Sequence, residues 1–180
     1  MVIPVPLKYR GKSKNKNKMK TVKEIMVAAP KYCGKQESLQ SVVSQMSKSN
    51  IGSLPVVDEN KKVIGIVTNH DVCIALGKTN KAPHEIKVQD VMTAGVHTCQ
   101  QEDDPSTVLK IMRTKRVSRL PVVDKEQRLK GILSLNGIVR SIYDGSSNNE
   151  VAFAEKENIL STIHSIAERN AEHAGEYYGE

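Results

Sequence analysis

Three polar side chains, Thr68, Asn69 and Asp71, stand close together at the end of an apolar, β-branched run. Thr68 ends that run, and Asp71 falls in the first turn of the helical pattern that follows. A nucleotide is recognised by a carboxylate or amide at its ribose hydroxyls, and by hydroxyls or helix N-terminal amides at its phosphates. The segment therefore suits a nucleotide site. The alternative is that these residues only cap the helix, since Thr and Asp favour first turns.

This segment is the end of a stretch that occurs twice. Residues 50–71, NIGSLPVVDENKKVIGIVTNHD, align without a gap on residues 116–137, RVSRLPVVDKEQRLKGILSLNG. Pro55 then falls on Pro121, and every other matched pair is likewise 66 residues apart. A period of this size indicates a duplicated structural unit.

Each copy predicts the order β, α, β, β, α. Ser38 and Asp104 precede helical patterns as N-caps, and an apolar strand, a polar turn, a second strand and another helix follow. One copy alone has apolar faces too small for a stable domain, so the two are expected to pack together. The predicted fold class is α/β, with two such repeats as a pair. The predicted organisation is a basic tail at 1–20, repeat one at 21–80, a linker at 81–86, repeat two at 87–146 and an amphipathic helix at 150–175.

The last of these segments has an apolar stripe at helical spacing, with glutamates between the stripe residues. The stripe residues are Phe153, Ile159, Leu160, Ile163, Ile166 and Ala167. This stripe either packs back on the repeats or meets a partner helix, and the sequence leaves both possibilities open.

The net charge of +7 is concentrated at one end of the chain. Residues 1–20 carry seven lysines and arginines and no acidic residue, whereas the rest of the chain balances to zero. We expect a flexible tail that mainly aids solubility. It could also contact the phosphates of nucleic acid or anionic lipid, so a dimeric scaffold that meets an anionic partner through this tail is the alternative function.

Three cysteines, Cys33, Cys73 and Cys99, show no CxxC spacing, which argues against a zinc site or a disulfide framework. Cys33 and Cys99 are 66 residues apart, so we expect equivalent buried positions in the two repeats. No apolar run approaches the roughly 20 residues of a membrane span, and residues 1–20 lack a signal-peptide centre, so we expect a cytoplasmic protein. The sequence has no GxSxG, HExxH or Walker motif, and we expect neither catalysis nor a metal.

The paired motifs resemble a tandem of cystathionine-β-synthase (CBS) domains, also called a Bateman module. The resemblance rests on TVKEIM and KVQDVM, on SLPVVD and RLPVVD, and on GIVT and GILS, and it covers about residues 20–145. It implies a pseudo-twofold pair of repeats, joined through their sheets, with two clefts between them. It also implies a regulatory sensor that binds an adenosine-containing ligand (AMP, ADP, ATP or S-adenosylmethionine), commonly forms a homodimer and acts on an unknown effector protein.

The resemblance also assigns residues to two unequal sites. At the first site Asp71 is similar to the family's ribose ligand and Thr68 to a phosphate or ribose contact, with Asn69 beside them. The remaining expected contacts are Ile51 and Leu54 along the base or ribose, and Val96 and His97 from the opposite repeat around the adenine.

The second site departs from the family pattern, because Gly137 stands where the first repeat has Asp71. Ser134 keeps a hydroxyl, and Asn136 could supply an amide in place of the carboxylate. Arg119, with Ser118 beside it, stands where family members use a basic residue for phosphate. The alternative for Arg119 is a solvated charge at the edge of a sheet. We expect this second site to be weaker, or empty.

Overall fold

A computed structural model describes residues 21–145 and 156–168 of the chain. Repeat one contains α1 (Val22–Ile25), β1 (Val27–Ala28), β2 (Cys33–Gly34), α2 (Leu39–Ser49), β3 (Ser53–Val57), β4 (Val63–Thr68) and α3 (Asn69–Lys78). Repeat two contains a 3₁₀ turn (Val88–Asp90), β5 (Thr93–Ala94), β6 (Cys99–Gln100), α4 (Pro105–Lys115), β7 (Arg119–Val123), β8 (Leu129–Ser134) and α5 (Leu135–Gly145). A further helix, α6, covers 156–168. The predicted α/β pair of β-α-β-β-α repeats with a C-terminal helix is confirmed.

The longer helices of the two repeats begin and end in the same way. The hydroxyl of Ser38 accepts a hydrogen bond from the N–H of Ser41 at the start of α2, and the carboxylate of Asp104 accepts one from Ser106 at the start of α4. Both helices end on a residue in the left-handed conformation, Asn50 with φ 50° and Arg116 with φ 52°. These caps satisfy backbone groups that helix ends leave unpaired.

Each repeat contributes its leading segment, residues 21–28 or 87–94, to the other repeat. One sheet has the strand order β2-β3-β4-β5, and the other has β1-β8-β7-β6. The short strand β5 of repeat two thus pairs with β4 of repeat one, and β1 of repeat one pairs with β8 of repeat two. Val22 accordingly packs in the core of repeat two, and Val88 packs in the core of repeat one.

Two glycines allow this exchange of leading segments. A methyl group at Gly65 would lie 2.9 Å from the backbone oxygen of Thr93, and one at Gly131 would lie 3.1 Å from that of Val27. Met92 and Met26 lie against the same two glycines. Any larger residue at these positions would push the exchanged strand away.

The hairpin turns of the two repeats also meet, at the centre of the pair. The N–H of Val63 donates to the carbonyl of Gln127 over 3.1 Å, and the N–H of Leu129 donates to that of Lys61 over 2.9 Å. In the second turn, Asp124 forms ion pairs with Arg128 at 3.0 Å and with Lys130 at 3.2 Å. The junction between the repeats is therefore built from exchanged strands and paired turns, and the ion pairs stabilise the second turn within repeat two.

The helix α6 packs on α4 of repeat two. Ile159 and Ile166 join the core of repeat two. The hydroxyl of Ser165 donates to the carbonyl of Arg113 over 3.0 Å, and the Arg113 guanidinium donates to Ser161 over 3.0 Å. The stripe thus packs back on the repeats in part, while Leu160 and Ile163 remain exposed. Phe153 lies outside the described residues.

The prediction for two of the cysteines is confirmed. Cys33 and Cys99 are buried, and each Sγ lies 3.9 Å from a carbonyl, that of Pro55 or Pro121. Burial, and secondarily a nearby carboxylate, raises the pKa of each thiol to about 12. Both remain protonated at neutral pH, so they contribute to packing and are poor nucleophiles.

Candidate functional site

Thr68 and Asp71 form a capping box at the start of α3. The Thr68 hydroxyl accepts a hydrogen bond from the Asp71 N–H over 3.2 Å. Oδ2 of Asp71 accepts from the Thr68 N–H over 2.8 Å and from its hydroxyl over 2.7 Å. The capping role that the sequence offered as the alternative is therefore present. Oδ1 of Asp71 receives no hydrogen bond from another described residue, which leaves one carboxylate oxygen available to a ligand.

Asn69 and Ile51 lie beside this cap. The N–H of Asn69 donates to the carbonyl of Gly52 over 3.0 Å, which ties the start of α3 to the loop that precedes β3. Ile51, in the same loop, is half-buried against the core of repeat one. Leu54 requires a correction, because its side chain is 0% exposed within that core. Leu54 supports the strand from beneath and does not line the site.

Val96 and His97 follow β5, and the strand pairing takes them away from the cap. β5 runs antiparallel to β4, with Thr93 opposite Ile66 and Ala94 opposite Gly65. The chain after Ala94 thus leads towards the beginning of β4, whereas Thr68 stands at its end. Only a ligand that extends along β4 could contact both groups of residues.

The residues on the other side of β5, Asp90 and Val91, lie near Asp71 in a groove. The groove has a volume of about 460 Å³ and runs along α3, between this helix, the following linker and the 3₁₀ turn of repeat two. Its lining consists of Asp71, Ile74, Ala75, Lys78, Thr79, Lys81, Ile86, Asp90 and Val91. Of the residues predicted for the first site, this groove contains only Asp71.

The other groove residues were not predicted from the sequence, although part of their signal is present in it. Asp71, Ile74, Ala75 and Lys78 have the spacing i, i+3, i+4 and i+7 of one helix face. Ile74 is exposed on that face, where an apolar residue is unusual unless something covers it. Asp90 and Val91 could not be found in this way, because their position depends on the exchange of leading segments.

Three of the second-site residues meet at the matching end of repeat two. Arg119 is paired with Ser134 across β7 and β8, and the carbonyl of Ser118 accepts from the N–H of Leu135 over 2.9 Å. The Ser134 hydroxyl caps α5 by accepting from the N–H of Gly137 over 3.1 Å. Arg119 and Asn136 are exposed. This end has a hydroxyl and a guanidinium but no counterpart of the Asp71 carboxylate.

The sequence profile of the CBS domain matches this chain twice, at residues 22–78 and 88–144. The chain belongs to the CBS domain family. Both matched segments include the motifs that carry the resemblance seen in the sequence. The basic segment 1–20 precedes the first match and lies outside the described residues. No described helix is long and apolar enough to cross a membrane.

Several proteins are similar to this CBS pair. Inosine-5′-monophosphate dehydrogenase of Methanocaldococcus jannaschii is 34% identical over 119 residues, which is 66% of this chain and 22% of the dehydrogenase. The similarity thus spans about a fifth of that enzyme's length. An uncharacterised protein of Bacillus subtilis is 31% identical over 121 residues, which is 67% of this chain and 80% of that protein.

Solved structures give the same fold. The CBS domain pair of protein MJ0100, in complex with 5′-methylthioadenosine and S-adenosyl-L-methionine, superposes with a TM-score of 0.61 at 31% identity. The match covers 67% of this chain and 98% of that one. CBSX2 in complex with AMP superposes with a TM-score of 0.62 at 23% identity, covering 69% of this chain and 97% of that one, which supports the fold.

The two CBS repeats of this chain differ at the groove positions. Asp71, Ile74 and Lys78 of the first repeat correspond to Gly137, Arg140 and Asp144 of the second. The core is conserved between the repeats by contrast, since the buried Val42 and Leu54 correspond to the buried Val108 and Leu120. The repeats therefore share a scaffold and differ in the chemistry of this helix face.

Proposed function

We propose that this CBS pair is a non-catalytic regulatory module that binds an adenosine-containing ligand at the end of β4 and the start of α3. The observation that carries the proposal is Asp71. It is fixed by the capping box through Oδ2 and lines a groove of about 460 Å³, with Oδ1 unused by other described residues. A carboxylate held in this way is suited to accept hydrogen bonds from the two ribose hydroxyls.

The relatives support an adenosyl ligand. The CBS pair of MJ0100, at 31% identity, is in complex with two compounds that contain adenosine, one a thioether and one a sulfonium amino acid. We therefore propose S-adenosylmethionine, AMP, ADP or ATP as the ligand of this chain. The second site, which has Ser134 and Arg119 but no carboxylate, is proposed to bind such a ligand more weakly.

Regulation would follow from the way the repeats are joined. Asp71 belongs to repeat one, whereas Asp90 and Val91 of the groove belong to repeat two. A ligand that contacts both sides favours the arrangement in which they are close, which is a population shift. The proposed output is recognition of that arrangement by an effector protein.

Native mass spectrometry of the purified protein tests this function. We expect additional mass that corresponds to an adenosine-containing compound, and a rise in the melting temperature when that compound is added in excess. If no adenosine derivative raises the melting temperature at millimolar concentration, the proposed function is wrong.

We further propose that the protein is a homodimer. Support comes from exposed apolar side chains on α2 and α6. Val43 on α2 is 42% exposed, whereas the matching Leu109 on α4 is only 1% exposed, beneath α6. Leu160 and Ile163 face outwards from α6 itself. We expect sedimentation velocity to show a dimer that Leu160→Glu combined with Ile163→Glu dissociates. A monomeric wild-type protein at tens of micromolar would contradict this.

A further inference from the structure

We infer that the groove along α3 selects adenosine ligands whose 5′ substituent ends in an anionic group, with Lys78 and Lys81 as the residues that bind this group. The inference rests on the proposed function, because it assumes that the ribose lies at Asp71. It adds residues that the sequence analysis did not assign, and a preference among the possible ligands.

The charges of the groove are separated along α3. Asp71 lies in the first turn of the helix and Lys78 is its last residue. Seven residues of α-helix span roughly 10 Å. Asp90 lines the groove from the 3₁₀ turn that leads into β5, and β5 pairs with the strand that ends at Thr68, so Asp90 belongs to the Asp71 end. Lys81 follows Lys78 closely in the chain. The groove is therefore acidic at one end and basic at the other.

These charges are available to a ligand. Lys78, Lys81 and Asp90 form no ion pair with another described residue, and Asp71 uses only Oδ2 in the capping box. Between the two ends lie Ile74 and Ala75 of α3, and Ile86 and Val91 complete the apolar part of the lining. An elongated molecule with a hydroxylated or cationic part, an apolar part and an anionic end matches this order.

The second repeat shows that the fold does not require these charges. Its α5 matches α3 in the fold, yet it has Gly137 in place of Asp71 and Asp144 in place of Lys78. An acidic residue at the second of these positions would repel an anionic tail. The charge pattern of the groove is therefore a property of repeat one. Asp71 also caps α3, whereas Lys78 and Lys81 form no ion pair with another described residue.

The adenosine ligands differ in what they present to the lysines. ATP carries a phosphate chain and S-adenosylmethionine a carboxylate, whereas 5′-methylthioadenosine and adenosine have no anionic group. Two lysines at the end of the groove attract the phosphate chain of ATP most strongly, and they attract the carboxylate of S-adenosylmethionine less strongly, because that compound also carries an ammonium and a sulfonium. They have nothing to attract in the neutral pair. ATP, S-adenosylmethionine or both should therefore bind more tightly than the neutral compounds.

Isothermal titration calorimetry of the full chain with these four compounds, in magnesium-free buffer at low salt, tests the inference. We expect ATP or S-adenosylmethionine to bind at least about five-fold more tightly than 5′-methylthioadenosine, as two partly exposed charge contacts imply. Lys78→Ala combined with Lys81→Ala should abolish this preference and leave the affinity for 5′-methylthioadenosine unchanged.

The matched control is Lys48→Ala combined with Lys110→Ala, which removes two exposed lysines of α2 and α4 outside the groove. The control should retain the preference, although its net charge falls by the same amount. If the groove variant retains the preference, or the control loses it equally, the inference is wrong while the proposed function stands. If neither these four compounds nor AMP or ADP binds the wild-type protein, both are wrong.

Discussion

At the scale of single residues, Asp71 combines two roles that sequence patterns usually present as alternatives. One carboxylate oxygen completes a capping box, the other receives no hydrogen bond from another described residue, and the residue lines a groove. The cap fixes the rotamer of the side chain, so the free oxygen is held in place before a ligand arrives. Such preorganisation reduces the entropy lost on binding.

The capping role predicts opposite effects in the two repeats. Asp71→Ala should lower the free energy of unfolding by about 1 kcal/mol, because it removes the carboxylate half of the box. Gly137→Asp should raise the free energy of unfolding by about 0.5–1 kcal/mol, because it adds a capping carboxylate next to Ser134 and replaces a helical glycine. There is room, because a Cβ at Gly137 would lie 3.4 Å from the Ser134 hydroxyl. Urea denaturation measures both changes, and a destabilising Gly137→Asp would contradict the capping explanation.

The ion pairs of Asp124 predict a dependence on pH. Partial desolvation raises the pKa of Asp124, but hydrogen bonds from the Arg128 backbone and from the Lys130 and Arg128 side chains outweigh it and lower the pKa to about 2, from 3.8. A depressed pKa in the folded state contributes stability above pH 3.8 that is lost as the pH falls towards 2. Asp124→Asn should therefore reduce the difference between the free energy of unfolding at pH 5 and that at pH 2. Equal pH profiles for variant and wild type, from denaturation at each pH, would contradict this.

Contacts between residues that are close in the sequence were the easiest to predict. Thr68 and Asp71 are three positions apart at a helix start, so their contact follows from local geometry. Val96 and His97 required knowledge of the direction of β5, which no local pattern gives. Leu54 was misplaced because a strand buried on both faces has no alternation to show which side chains point inwards.

At the scale of the elements, the exchanged leading segments set the geometry of the groove. The motifs TVKEIM and KVQDVM predicted short apolar turns, and the structure confirms a helical turn in each. The sequence could not show that each turn packs on the other repeat. The two repeats have nearly the same apolar pattern, so either partner would satisfy it.

The close approach of these strands predicts that Gly65→Ala is destabilising. The added methyl group would lie 2.9 Å from the carbonyl oxygen of Thr93, which is backbone and cannot rotate away. A loss of about 1–3 kcal/mol is expected, as for other overpacked sites. Thermal unfolding measures this loss.

Gly77→Ala is the matched control for that substitution. Apart from its chain neighbours and the backbone of its own helix α3, no described residue places an atom within 4 Å of the position that its methyl group would occupy. Alanine is the better helix former, so stability should rise by up to about 1 kcal/mol. If both variants lose the same stability, steric crowding at the exchanged strand is not the cause.

At the scale of the whole molecule, the two repeats share a scaffold and differ in the side chains of the groove helix, and we propose that this difference sets the specificity. The pairing of the repeats was predictable, because 66-residue spacing and paired motifs are global features of the sequence. The groove was not predictable from the sequence, since it forms only when α3, the linker and the 3₁₀ turn of repeat two are assembled. One chain thus contains one end suited to ribose and one end that lacks the carboxylate.

This asymmetry predicts one strong binding site per chain, with Asp71 in it. Isothermal titration of the wild-type protein with ATP and with S-adenosylmethionine should give a stoichiometry near one for at least one of them. Asp71→Ala should weaken that binding by about ten-fold or more, as the loss of a charged hydrogen bond implies. Glu59→Ala, which removes an exposed carboxylate of the first hairpin turn, should leave it unchanged. An affinity that Asp71→Ala does not alter, or no binding of either compound at millimolar concentration, would contradict the proposed site.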